Sequence, residues 1–148
     1  RAGAAGRVQG GPTVRTMSAI GPPLTPAQWQ NRALVVDDVA AERERMSGIL
    51  RGAGWDVRLA ASGAQAIERA RSERPAIIFM DIVMPDMDGF EACRRLAQHR
   101  DTRAIPVVFV STKSQRADRV WARMQGGRDL IGKPYTVTQL LDALRHAR

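Results

Sequence analysis

Apolar residues recur along this chain in two alternating ways. Short runs stand at Ala33–Val36, Val57–Ala61, Ala76–Met80, Val107–Val110 and Leu130–Ile131, with the length and composition of strands buried on both faces. Between them the repeat is helical. Met46, Ile49, Leu50 and Ala53, then Ala117, Val120, Trp121 and Met124, then Val137, Leu140, Leu141 and Leu144 each fall at i, i+3, i+4, i+7 and line one helix face. Each stripe is expected to face the core, Trp121 included, with a partner-facing role as the alternative for that ring. Gly54 and Gly126 stand where C-terminal caps belong, while Ser62 with Gln65 and Thr136 with Gln139 have capping-box spacing. Five β-α units in succession predict a doubly wound α/β domain, since parallel neighbours are joined only through a crossover helix.

Residues 1–31 break the pattern. They carry five glycines, four prolines, three arginines and no acid, without either periodicity, and read as a disordered leader ahead of a folded domain over 32–148. One serine, Ser18, and no amphipathic stripe argue against an organelle transit peptide. The chain starts at Arg1 and its first methionine is Met17, so it reads either as a fragment or as a protein translated from Met17.

With 148 residues, 44% hydrophobic and 26% charged, the composition is that of one globular domain rather than a multidomain enzyme. No apolar run approaches the roughly 20 residues that span a bilayer, so no membrane segment is expected. Cys93 is the single cysteine, which excludes an intrachain disulfide or a thiolate zinc site and makes a reducing, cytoplasmic setting the default. The net charge of +8 raises nucleic-acid binding as a possibility. Within the domain, however, arginines interleave with acids, as in Glu42-Arg43-Glu44-Arg45, a pattern of solvated helix faces, so direct nucleic-acid binding is not expected.

In a doubly wound sheet the ligand crevice lies beyond the carboxyl ends of the strands. Here the runs end in Asp37-Asp38, in Asp81, in Ser111-Thr112 and in Lys133-Pro134. Singly, each has an ordinary explanation: an acid after a strand often caps the next helix, and Lys-Pro is a common loop dipeptide. Together they bring three carboxylates to one crevice, where they would raise one another's pKa unless a cation intervened. Oxygen donors without histidine or cysteine suit Mg²⁺ or Mn²⁺. With an ammonium and a hydroxyl beside them, these groups are suited to hold a phosphoryl group on a carboxylate.

Leu34-Val35-Val36-Asp37-Asp38, the segment Met80-Asp81-Ile82-Val83-Met84-Pro85-Asp86-Met87-Asp88-Gly89, Val110-Ser111 and Lys133-Pro134 resemble the receiver domain of two-component response regulators, over residues 32 to about 146. The resemblance implies a flavodoxin-like, CheY-like fold with strand order 2-1-3-4-5 and helices on both faces. It makes Asp81 the phosphoacceptor, Asp38 a direct Mg²⁺ ligand, Asp37 an acidic partner acting largely through water, and the Val83 carbonyl the remaining protein ligand beside Asp81. Ser111 would be the switch hydroxyl and Lys133 the phosphoryl-binding cation, with a cis peptide bond to Pro134. Val83 and Lys113 sit where the family tunes hydrolysis, and Lys113 is expected to pair with the phosphoryl group and slow water attack. Two positions depart from the pattern: Leu130 replaces the usual switch aromatic, and Thr112 narrows a mouth usually lined by Ala or Gly. Leu130 and Trp121 would lie on the switch face. In Asp88 with Glu91, N-cap spacing favours helix capping over metal binding.

The function implied is a phosphoacceptor, not an enzyme beyond self-phosphorylation and slow self-dephosphorylation. A histidine kinase would be the donor and a downstream protein the target, with the protein a monomer or a weak phosphorylation-dependent dimer. From the end of the last helical stripe only Leu144–Arg148 remain, so no output domain is expected in the chain. The segment from Ser111 to Gly127 is similar to single-domain receivers of pilus-type (twitching-motility) chemotaxis systems. A flagellar chemotaxis regulator, a phosphate sink and a fragment of a hybrid kinase are the alternatives. A haloacid-dehalogenase-type phosphatase would need a second Asp two residues after a nucleophile on the first strand, where Val39 stands.

Overall fold

The computed structural model describes residues 31–148; the expected leader, apart from Asn31, lies outside them. Five parallel strands alternate with helices: β1 (Arg32–Val36), α1 (Ala40–Gly52), β2 (Asp56–Ala60), α2 (Gly63–Glu73), β3 (Ile77–Met80), α3 (Gly89–Gln98), β4 (Val107–Ser111), α4 (Arg116–Met124), β5 (Asp129–Gly132) and α5 (Val137–Asp142), the last running into a 3₁₀ turn over Ala143–His146. The sheet order is β2-β1-β3-β4-β5, as expected. All five apolar runs become strands, and each expected boundary lies within one residue of the observed one.

Alternate residues of each strand point to opposite faces, and two cores result. Leu34, Val36, Ile78, Met80 and Phe109 pack with α2, α3 and Ala122 of α4, while Ala33, Val35, Ile77, Phe79, Val108 and Val110 pack with Met46 and Leu50 of α1 and Leu140 of α5. Helix starts follow local chemistry. Ser62 accepts from the Gln65 amide, Asp88 from the Glu91 amide, and Thr136 with Gln139 closes a reciprocal box.

One expected stripe is overturned. Val120, Trp121 and Met124 of α4 are exposed, Trp121 to 49%, and Ala117 is exposed as well. The buried face is instead Ala122 and Gln125, with Asp118 one turn before them partly buried. Polar contacts hold it there. Arg119 donates to the Leu130 carbonyl at 2.6 Å, Arg94 to the Gln125 side chain at 2.8 Å, and the Cys93 thiol lies 3.3 Å from the Gln125 carbonyl. A hydrophobic period cannot report a buried face made of Ala and Gln. Burial also pushes the Cys93 thiol up to about 11, so it stays protonated and serves as core.

Candidate functional site

Parallel pairing fixes where the strand ends meet. Val36 of β1 pairs with Met80 of β3, and the Asp81 amide donates to the Val36 carbonyl at 3.0 Å, so Asp37-Asp38 and Asp81 emerge side by side. Each of the three offers a carboxylate oxygen within 4.8 Å of the others. Asp37 is fully buried and Asp81 nearly so, whereas Asp38 is exposed. Asp37 Oδ1 accepts from the Val39 amide at 2.9 Å and Asp81 Oδ1 from the Ile82 amide at 2.7 Å. Backbone thus fixes one oxygen of each.

The other oxygen of each faces Lys133. Its Nζ lies 2.7 Å from Asp37 Oδ2 and 3.2 Å from Asp81 Oδ2. Burial works against the charged ammonium, but the bond from Asp37 and the charges of Asp81 and Asp37 outweigh it and hold the lysine well above its usual pKa. The Lys133-Pro134 peptide is cis, and the Lys133 amide donates to the Ser111 carbonyl at 2.9 Å, tying the loop after β5 to the end of β4. Ser111 is fully buried, and its Oγ accepts from the Lys113 amide at 3.2 Å. Thr112 is exposed at this edge.

The turn after Asp81 needs a glycine at its far end. The Gly89 amide donates to the Ile82 carbonyl at 2.7 Å, and a Cβ at Gly89 would collide with the Asp81 carbonyl oxygen. Asp86 takes a positive φ of 69°, which Asp tolerates better than most side chains. Asp86 and Asp88 therefore shape the loop and start α3. Val83 is 59% exposed beside the acids, and Leu130 is buried in the core that α2, α3 and α4 cover.

Sequence reasoning missed three neighbours. Glu42 and Arg43 have the pattern of a solvated pair, yet Glu42 Oε1 lies 3.4 Å from Lys133 Nζ and Arg43 donates to the Asp37 carbonyl at 2.7 Å. Arg45 stands over the Tyr135 ring, 5.0 Å from its centroid. The signal was positional: Glu42 and Arg43 lie in the first turn of the helix that follows Asp38. Lys113, expected near the phosphoryl position, has its Nζ 2.8 Å from Asp118 Oδ1.

The donor set fits a hard divalent cation. All three ligand atoms are carboxylate oxygens, and one of the three acids is exposed. Opposite ligands of Mg²⁺ stand roughly 4.2 Å apart, so a spread of up to 4.8 Å suits a set in which one acid acts through water. Val83, whose carbonyl is the fourth expected ligand, follows Asp81 by two residues.

A family model described as the response regulator receiver domain matches residues 33–145. Protein PilH of Pseudomonas aeruginosa is 41% identical over 113 residues, which is 76% of this chain and 93% of that protein. Response regulator PleD of Caulobacter vibrioides is 36% identical over 77% of this chain, which spans only 25% of PleD. Among solved structures, the chemotaxis protein CheY4 of Vibrio cholerae superposes with a TM-score of 0.74 at 27% identity, covering 79% of this chain and 98% of that one. The receiver domain of a sensor histidine kinase from Pseudomonas aeruginosa, solved with a magnesium ion coordinated in its active-site cleft, gives 0.73 at 27% identity over 79% and 96%. Among the described residues no helix is long and apolar enough to cross a membrane.

Proposed function

Because the chain belongs to the response regulator receiver domain family, we propose that Asp81 accepts a phosphoryl group from a histidine kinase and that the acyl phosphate controls a protein contact. The observation that carries this reading is the convergence of Asp37, Asp38 and Asp81 on a lysine ammonium 3.2 Å from Asp81. An Asp81 carboxylate oxygen forms the bond to phosphorus as the phosphorus–nitrogen bond of the donor histidine breaks, and the bonding pair stays on the imidazole. Asp38, Asp37, Asp81 and the Val83 carbonyl would hold Mg²⁺ or Mn²⁺, which would supply charge neutralisation for the transferred group. Lys133 faces the phosphoryl oxygens as a fixed cation. Ser111, whose Oγ already accepts from the Lys113 amide, keeps its own proton free to donate to a phosphoryl oxygen.

The signal then runs along β4 and β5. Ser111 and Lys133 are joined through backbone, and α4 hangs on the Leu130 carbonyl through Arg119. With Leu130 in place of an aromatic ring, the change is carried by the loop from Ser111 to α4 rather than by a side-chain swing. The exposed Val120, Trp121 and Met124 form the surface that meets the target. The 41% sequence identity to PilH and the likeness to a chemotaxis protein support a place in chemotaxis or pilus-driven motility.

The test is intact-mass spectrometry after incubation with Mg²⁺ and acetyl phosphate, with the Asp81→Asn variant alongside. Wild type should gain about 80 Da, one phosphoryl group, and the variant nothing. An adduct that persists in Asp81→Asn, or no adduct with acetyl phosphate or any histidine kinase, overturns the reading. The adduct's lifetime separates a messenger from a phosphate sink.

A further inference from the structure

We propose that Asp118 is a positioning residue that shortens the life of the acyl phosphate by holding the Lys113 ammonium away from it. The inference rests on Asp81 being the phosphoacceptor. Both oxygens of Asp118 are engaged: Oδ2 accepts from the Gln115 amide at 2.9 Å and Oδ1 receives Lys113 Nζ at 2.8 Å. The first contact belongs to the capping box that starts α4, so the carboxylate is fixed by the helix and Lys113 comes to it. Their exposures agree, since the Asp118 side chain is 13% exposed and that of Lys113 is 51%. The Lys113 contact and the Gln115 amide also keep this carboxyl below its usual pKa, so it is an anion at neutral pH.

At its other end Lys113 touches the reaction site. Its amide donates to Ser111 Oγ, the hydroxyl assigned to a phosphoryl oxygen, so the stem begins one hydrogen bond from that group. A lysine stem is flexible and its ammonium is a point charge that follows the stronger anion within reach. Two anions compete for it once Asp81 is phosphorylated: the Asp118 carboxylate and a phosphoryl group bearing about −1.5 to −2.

The competition decides how water attacks. In hydrolysis the water oxygen bonds to phosphorus, the bond from phosphorus to the Asp81 oxygen breaks with its electron pair returning to the carboxylate, and a water proton leaves to solvent. Lys113 lying on the phosphoryl group covers the edge beside the exposed Thr112 and obstructs that approach. With Lys113 held on Asp118, the edge stays open and turnover is faster.

Four proteins test this: wild type, Asp118→Asn, Lys113→Ala and the double variant. Each is phosphorylated with acetyl phosphate and Mg²⁺, and loss of the adduct is followed by intact mass after donor removal. The Asp118→Asn side chain keeps an oxygen for the Gln115 amide, so the α4 cap survives while the ion pair goes. Asp118→Asn should lengthen the adduct half-life about threefold, the scale of a surface ion pair, and should have no effect when combined with Lys113→Ala. An unchanged half-life in Asp118→Asn overturns the proposal, as does an equal lengthening in the Lys113→Ala background, which would make the effect one of helix structure. Absence of any adduct in all four proteins, with acetyl phosphate and with a histidine kinase alike, overturns the phosphoacceptor reading itself, and this proposal with it.

Discussion

The two ends of the sheet carry charge clusters of opposite design. At the amino ends of the strands, Arg32 and Arg58 meet Asp56 and Glu73: Arg32 lies 2.9 Å from Asp56 and 3.2 Å from Glu73, and Arg58 lies 3.2 Å and 3.5 Å from the same two acids. Two cations face two anions. At the carboxyl ends, Lys133 is shared by Asp37, Asp81 and Glu42, with Asp38 beside them. The balanced cluster needs nothing further, whereas the other retains excess negative charge in a partly dry crevice. Such an imbalance is unfavourable unless a cation offsets it, so it marks the working end of the molecule.

The largest break in this contrast comes from removing the shared cation. Lys133→Met leaves the fully buried Asp37 without its partner and should lower stability by about 3–5 kcal/mol, the cost of stranding a buried charge; urea unfolding in metal-free buffer measures it. Next in size is the effect of a divalent cation. Mg²⁺ at a hundredfold excess over its dissociation constant should stabilise wild type by about 2.7 kcal/mol. Asp38→Asn should abolish that gain while leaving metal-free stability nearly unchanged, because Asp38 is exposed. Equal stabilisation of the variant by Mg²⁺ would remove Asp38 from the ligand set.

The balanced end should respond less. Arg32→Met returns Asp56, whose side chain is 47% exposed, and Glu73 to water and should cost about 1–2 kcal/mol. A loss as large as that of Lys133→Met would erase the distinction between the ends. The pH windows are opposite as well. The folded pKa of Lys133 is raised above its usual 10.5, so its contribution is complete below that pH and is lost as pH rises toward the folded value. Burial would raise Asp56, but its bonds to Arg58 and Arg32 outweigh burial and lower it below the usual 3.8. Its contribution is present above that pH and is lost as pH falls further. Lys133→Met should therefore flatten the alkaline limb of stability against pH, and Asp56→Asn the acid limb.

Much of this was legible in the chain because it depends on residues close in sequence. The strands announced themselves as short apolar runs. Ser62, Asp88 and Thr136 cap helices by bonding an amide three residues on, a geometry any helix start imposes. What ends each strand is likewise a local fact, and in parallel strands it suffices to bring Asp37, Asp38 and Asp81 together. The α4 stripe misled because amphipathicity says that a face is apolar and not what covers it. Trp121 and its neighbours face outward while Ala122 and Gln125 are buried.

The sequence by itself therefore determined the order of elements, three of the helix starts and the acids that crown the sheet. It also set the Lys133 ammonium beside those acids, but the tertiary structure alone decided which acid each cation bonds. Lys133 reaches Asp37 across 96 positions and Asp81 across 52, Arg32 reaches Glu73 across 41, and Arg43 leaves its expected helix-surface role to hold the Asp37 backbone. Hydrogen bonds of caps and turns are satisfied within a few residues, so composition and spacing reveal them. Charge pairing and burial depend on every element that folds against a side chain, and that neighbourhood exists only once the sheet has closed.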